Sequence, residues 1–196
     1  GAGNPISSLT KPTRLGYVFD GYTWNGQENR RIDKNGIIVT GTQSFTSPVT
    51  FVAQWQPTIS AVVPLDVQAQ VDVLGLEAPK EAQGCIESRC GEPLKVAEVK
   101  LTPLDGAKEL FGAGNVSDVF LEVLANNGAS PNARFSLGSS ATESDASKLQ
   151  ALTMASYGAR VPISYRFAMP SEVQTSLLEH ADPKPVCTVA YTVALA

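Results

Sequence analysis

The sequence predicts a mainly β chain of two parts, a small N-terminal module followed by an immunoglobulin-like antiparallel β-sandwich. Three observations carry this. Gly (16) and Pro (13) are spread along the whole chain, charged residues make up only 17% of it, and apolar residues recur with period two in short runs rather than with helical period. At 196 residues the chain is long enough for two ordinary domains.

The first module is expected over residues 1–56. "YVFDGYTW" and "SPVTFVAQW" read as strands, separated by the polar, turn-rich "NGQENRRIDKNG" and by "IIVTG". Asn25-Gly26 and Asn35-Gly36 are hairpin-type dipeptides. In the closing strand Val49, Phe51, Ala53 and Trp55 share one parity and predict a buried face. Tyr17 and Phe19 share a parity too, and with Trp55 are expected to form the small core. Tyr22 and Trp24 fall on the opposite parity and are the expected contact residues for a partner or a neighbouring domain. "QPT", Gln56 to Thr58, is the seam.

The sandwich is expected over residues 58–196. "PLDVQAQVDVLGL" alternates strictly, Leu65, Val67, Ala69, Val71 and Val73 against Asp66, Gln68, Gln70 and Asp72. In "EPLKVAEVKLTPL" Leu94 and Val96 are even while Val99 and Leu101 are odd, and a β-bulge near Ala97-Glu98 reconciles them. Further strands are read in "DVFLEVLA", "ARFSLG", "ARVPISYRFAM" and "VCTVAYTVAL". Between them "ESDASKLQALTM" predicts a short helix capped by Ser144, and "PSEVQTSLLEHA" one beginning at Pro170 or Ser171.

Composition excludes several functions. A net charge of −4 with one basic pair, Arg30-Arg31, offers no footprint for nucleic acid. No apolar run approaches the roughly 20 residues that span a bilayer, so membrane insertion is not expected. The one histidine, His180, sits beside Glu179 and Asp182 at an expected helix end, without a second histidine for a zinc site or a further base. Glu77, Glu81, Glu87, Glu92 and Glu98 lie in polar segments or on the solvent parity of strands, not where one carboxyl would be held protonated. "FGAGN" lacks the strand-before, helix-after context of a phosphate loop, and "DKNG" is a hairpin turn rather than a calcium loop. No catalytic residue, cofactor or metal is therefore expected, and the chain is read as non-enzymatic.

The cysteines are Cys85, Cys90 and Cys187. The turn signal Cys90-Gly91 permits a local Cys85–Cys90 disulfide; the alternative, Cys90–Cys187, would join an early strand to the last.

"PTRLGYVFDGY", Pro12 to Tyr22, and "PVTFVAQW", Pro48 to Trp55, resemble the opening P-T-R-x-G-Y-x-F-x-G-W and closing T-x-x-A-x-W blocks of the Listeria-Bacteroides repeat, the internalin B-repeat. Tyr22 stands where the family has Trp. The resemblance covers about a quarter of the chain and implies a β-grasp-like unit exported to a bacterial cell surface. The second part, with "VPLDVQAQVDV", "EPLKVAEVKL" and "CTVAYTVAL", resembles Gram-positive surface sandwiches of the WxL or camelysin type, although it holds no W-x-L. Together these imply a segment of a secreted surface protein, a spacer and adhesion or assembly module facing a host or cell-wall protein or glycan, with further domains beside it. The alternative is a carbohydrate-binding module.

Overall fold

The computed structural model describes residues 6–24, 32–39, 44–63, 66–72, 75–77, 84–176 and 184–196; for 66–72, 75–77 and 174–176 it describes the backbone only. The protein is mainly β, and its chain divides into two compact units. The first comprises Gly1–Thr58 with Cys90–Glu92, the second Ile59–Arg89 with Pro93–Ala196.

In the first unit β1 (Tyr17–Trp24) pairs antiparallel with β2 (Phe51–Pro57). Phe19 faces Trp55 and Tyr22 faces Ala53, so three steps on β1 match two on β2. This bulge falls at Asp20-Gly21, and Gly21, with φ +99°, supplies the backbone for it. The bulge overturns the expected parity. Phe19 and Trp24, which regular alternation places on opposite faces, are both 6% exposed. Trp24 packs with Ile32 and Ile38 in the centre of a cluster edged by Tyr22, Phe45 and Phe51.

The rings meet edge to face, as their quadrupoles favour. Centroids are 4.9 Å apart for Phe19 and Tyr22, 5.5 Å for Trp24 and Phe45, and 5.9 Å for Trp24 and Phe51. "DKNG" makes the expected turn: Asp33 Oδ1 accepts the amides of Asn35 (2.8 Å) and Ile37 (3.0 Å), and Gly36 takes φ +79°.

Among the described residues, the second unit forms two antiparallel sheets. One runs β3 (Ala61–Val62), β6 (Gly84–Ser88), β12 (Arg160–Ala168), β8 (Phe120–Ala125), β9 (Ala133–Ser136). The other runs β10 (Ala141–Glu143), β7 (Leu94–Pro103), β13 (Lys184–Leu195), β4 (Asp66–Asp72), β5 (Gly75–Glu77), with β11 (Thr153–Met154) added on β7. Leu94, Val99, Leu101, Cys187 and Val189 from this sheet, and Ile86, Leu121, Val123, Val161 and Ile163 from the other, are all 3% exposed or less. Burying each such side chain is worth about 1.5–3 kcal/mol.

The β7 bulge is where the parity slip predicts it. Thr192 pairs with Glu98 and Val193 with Val96, leaving Ala97 as the extra residue, so that Leu94 and Leu101 point the same way despite opposite parity. Two tyrosines join the sheets: the hydroxyls of Tyr165 on β12 and Tyr191 on β13 lie 2.6 Å apart.

Three short α-helices occur among the described residues: α1 (Asp105–Phe111), α2 (Ala146–Leu149) and α3 (Ser171–Ser176). The cap of α2 is Asp145, not Ser144; its carboxylate accepts the amide of Ser147 at 2.9 Å. Helix α1 carries no N-cap start signal in the sequence. Its N-cap position is Leu104, which offers no side-chain hydrogen bond, and Gly106 in its first turn is a poor helix former. "FGAGN" is the end of this helix and the turn beyond it.

The second unit begins and ends at the same place. Ala61 pairs with Ser88 and Arg89 donates to the carbonyl of Ser60, while Leu195 pairs with Leu94 and Ala196 donates to the carbonyl of Pro93. Arg89 and Pro93 are four residues apart in sequence, so the first and last residues of the unit share one end of the sandwich.

Candidate functional site

Among the described residues of the first unit, one surface site grows from a turn. Tyr17 donates its amide to the carbonyl of Arg14 at 3.1 Å, and Gly16 at φ +79° provides the positive-φ step such a turn needs. The turn folds Arg14 back over the ring that follows it: its guanidinium carbon lies 4.0 Å from the Tyr17 centroid and 6.0 Å from that of Trp55. A second glycine is needed nearby, since a Cβ on Gly91 would fall 1.8 Å from the Tyr17 ring. The result is a cleft of about 420 Å³ whose wall includes Lys11, Arg14, Leu15, Tyr17, Val18 and Trp55.

Its lining is apolar, aromatic and cationic. Leu15 is 74% exposed and Val18 58%, apolar surface at the mouth of a site with two cations and two partly exposed rings. The Tyr17 hydroxyl donates to Glu92 Oε1 at 2.5 Å, and this hydrogen bond to a carboxylate holds the phenol above its ordinary range. Rings with adjacent guanidinium and ammonium groups suit a ligand that offers a flat apolar face together with an acceptor or anion.

The residues singled out in the sequence are placed differently. Trp24 is in the core, and Tyr22 is half-buried with its hydroxyl donating to the carbonyl of Thr10 at 2.8 Å. Neither lines the cleft. His180 and Glu81 lie outside the described residues, and of Glu77 only the backbone is described. Glu92 holds Tyr17, and Glu87 is paired with Arg89 and Arg160. Among the described residues no group of three or more His, Cys, Asp and Glu could hold a metal ion, and no helix is long and apolar enough to cross a membrane.

The expected disulfide is not formed: Cys85, Cys90 and Cys187 are all thiols. The chain is extended from Cys85 through Ser88, about 10 Å at strand rise, and Arg89 continues the ladder through Ser60. Cys85 therefore sits within a strand of the second unit, while Cys90 is grouped with the first. Cys187 faces the sandwich core, as its parity with Val189 predicts, and burial pushes its thiol up to about 12. Burial likewise pushes Tyr165 up to about 12 and raises Tyr191 further.

Sequence reasoning missed the cleft because its key residue, Arg14, was read only as part of a repeat block. The signal was present in "TRLGY": a glycine two residues after an arginine and directly before a tyrosine folds the arginine onto the ring.

Fold and site thus define a two-unit, mainly β protein with an open aromatic and basic cleft on the smaller unit. No family model, curated protein or solved structure matches the chain.

Proposed function

We propose that the chain is a non-enzymatic segment of a secreted bacterial cell-surface protein that acts as an adhesion or assembly module and spacer. One observation carries the adhesive part of this reading. On the first unit, exposed Leu15 and Val18 stand beside Arg14, Tyr17 and Trp55 around an open cleft of about 420 Å³, an apolar, aromatic and cationic surface of the kind that holds a partner. The repeat-like blocks at Pro12–Tyr22 and Pro48–Trp55 support the bacterial-surface setting.

The test has two parts. Antibody against the folded chain should stain intact cells of a bacterium that encodes it, and beads coated with the chain should adhere to cell-wall fragments or host cells above albumin-coated beads. Staining only after permeabilisation would overturn the setting, and adhesion equal to albumin would overturn the role.

The cleft favours a second reading, a carbohydrate-binding module in which Trp55 and Tyr17 stack against sugar. Both tryptophans, Trp24 and Trp55, belong to the first unit, so a sugar in the cleft should change tryptophan emission, and Trp55→Ala should abolish the change. A response that survives the substitution, or no response to a panel of soluble oligosaccharides, removes this reading.

A further inference from the structure

The second unit contains four arginines, Arg89, Arg134, Arg160 and Arg166, and all four gather on the outer face of one sheet. They form two triads built alike. Glu87 receives Arg89 on Oε1 at 2.9 Å and Arg160 on Oε2 at 2.8 Å. Glu122 receives Arg134 on Oε1 at 3.4 Å and Arg166 on Oε2 at 2.6 Å.

Register explains the arrangement, because Arg160 lies directly across from Glu87, and Glu122 across from both Arg166 and Arg134. In each triad one guanidinium also covers a ring, Arg89 over Tyr157 at 5.7 Å and Arg134 over Phe120 at 3.8 Å.

The carboxylates are sunk and the arginines are not. Glu87 and Glu122 side chains are 14% and 11% exposed, the four arginines 42–66%. Each carboxylate therefore acts as a clamp that fixes two guanidinium groups. A guanidinium has five N–H donors, so contact to the clamp leaves donors unused on each arginine, even on Arg166, which also donates to the carbonyl of Ala129 at 3.4 Å. Four positive against two negative charges leave an excess of two on this face of a chain whose net charge is −4. Asp118, in the hollow of about 370 Å³ beside Arg134 and Phe120, offsets part of that excess at one triad. Arg160 and Arg166 are six residues apart on β12, which separates the triads by about 20 Å at strand rise.

We propose that this face binds an acidic polysaccharide, each arginine triad taking a carboxylate or sulfate of one polymer chain. Two like sites of fixed guanidinium groups with an adjacent ring match a ligand that repeats its charge and its sugar face, and binding at both raises avidity without new chemistry. The choice of a glycan over nucleic acid rests on the adhesive reading above and on the small size of the charge excess.

The probes are heparin, which carries sulfates and carboxylates, and polygalacturonate, which carries carboxylates alone, with dextran as neutral control and duplex DNA as the competing polyanion. Retention on both acidic polymers but not on dextran, falling as salt rises, is expected. Removing both arginines of a triad would strand its sunken carboxylate, so each triad is cleared as a set with its glutamate. Arg134→Gln with Arg166→Gln and Glu122→Gln should weaken binding at least tenfold, as should Arg89→Gln with Arg160→Gln and Glu87→Gln. Each set lowers the net charge by one. Lys95→Gln makes the same charge change on the other sheet and should leave binding intact.

Asp118→Asn, a surface change with no effect expected on folding, should strengthen retention. The proposal is overturned by any of four results: no retention on either acidic polymer, equal loss in Lys95→Gln, unchanged binding in folded triad variants, or unchanged retention in Asp118→Asn. Tighter binding of DNA than of either glycan would overturn the ligand class. None of these results bears on whether the chain is displayed at a cell surface, so the two readings fail separately.

Discussion

The two units bury apolar surface with different side chains. The first concentrates its core in a few rings, with Trp24, Phe45 and Phe51 mutually edge to face and Phe19 and Tyr22 beside them. The second spreads burial over many aliphatic residues facing each other across two sheets. A unit of some sixty residues has too little interior to lose any one ring, whereas the larger sandwich can absorb the loss of a methyl cluster. Since both tryptophans are in the first unit, tryptophan emission follows that unit alone and far-UV circular dichroism is dominated by the other.

The sharpest break is therefore Trp24→Ala. The loss of about 3–5 kcal/mol for a buried Trp should unfold the first unit, with Trp55 emission shifted to that of a solvated indole while the sandwich transition persists. Leu101→Ala, a similar cut of about 2–5 kcal/mol in the sandwich, should only lower the melting temperature of the second unit. If both variants melt as one transition, the division of labour between the cores is wrong.

Alkaline titration should separate the units next. Tyr165 and Cys187 are held neutral by burial, each up to about 12, against ordinary values of 10.0 and 9.0. Below pH 9 folded and unfolded chains carry these protons alike and stability is complete. From pH 9 to 12 the unfolded chain releases them while the folded sandwich cannot, so stability falls as pH rises. Circular dichroism should show the sandwich weakening across that window, and Tyr165→Phe with Cys187→Ala should lessen the pH dependence, the remainder coming from Tyr191, which burial also raises.

A smaller effect is expected at the tyrosine pair. Tyr165→Phe or Tyr191→Phe alone leaves the other hydroxyl without its buried partner and should cost about 1–3 kcal/mol. The double variant should cost less than the sum, and additivity in that cycle would mean that the 2.6 Å contact contributes nothing.

The least disruptive change is deletion of Ala97. It puts Leu94, Val96, Val99 and Leu101 into one regular alternation and preserves the inward face, so the melting temperature should move by only a few degrees. A collapse of the sandwich would show that the bulge itself is required.

The two bulges also show what could be read in the sequence. At Ala97 four aliphatic residues flank the extra position, and their change of parity announces it. At Asp20-Gly21 the same device is hidden, because glycine has no side chain to mark a face and Tyr and Trp are at home on either. Trp24 was therefore set on the wrong side. The strands of the sandwich were legible because aliphatic alternation is unambiguous. The arginine triads were not, since their members at 87, 89, 122, 134, 160 and 166 come from four segments and meet only through strand register. Arg30-Arg31 are adjacent in sequence, and adjacency in sequence is a poor guide to charge brought together by a sheet.

The shared end of the sandwich has a mechanical consequence. Tension applied between Ile59 and Ala196 reaches the β13–β7 ladder at Leu195 and Leu94 and the β3–β6 ladder at Ala61 and Ser88, the outermost rungs of each. Hydrogen bonds loaded in this way give way one after another, like a zip, instead of sharing the force as they do when strands are sheared lengthwise. The second unit should therefore open at low force when pulled between Ile59 and Ala196.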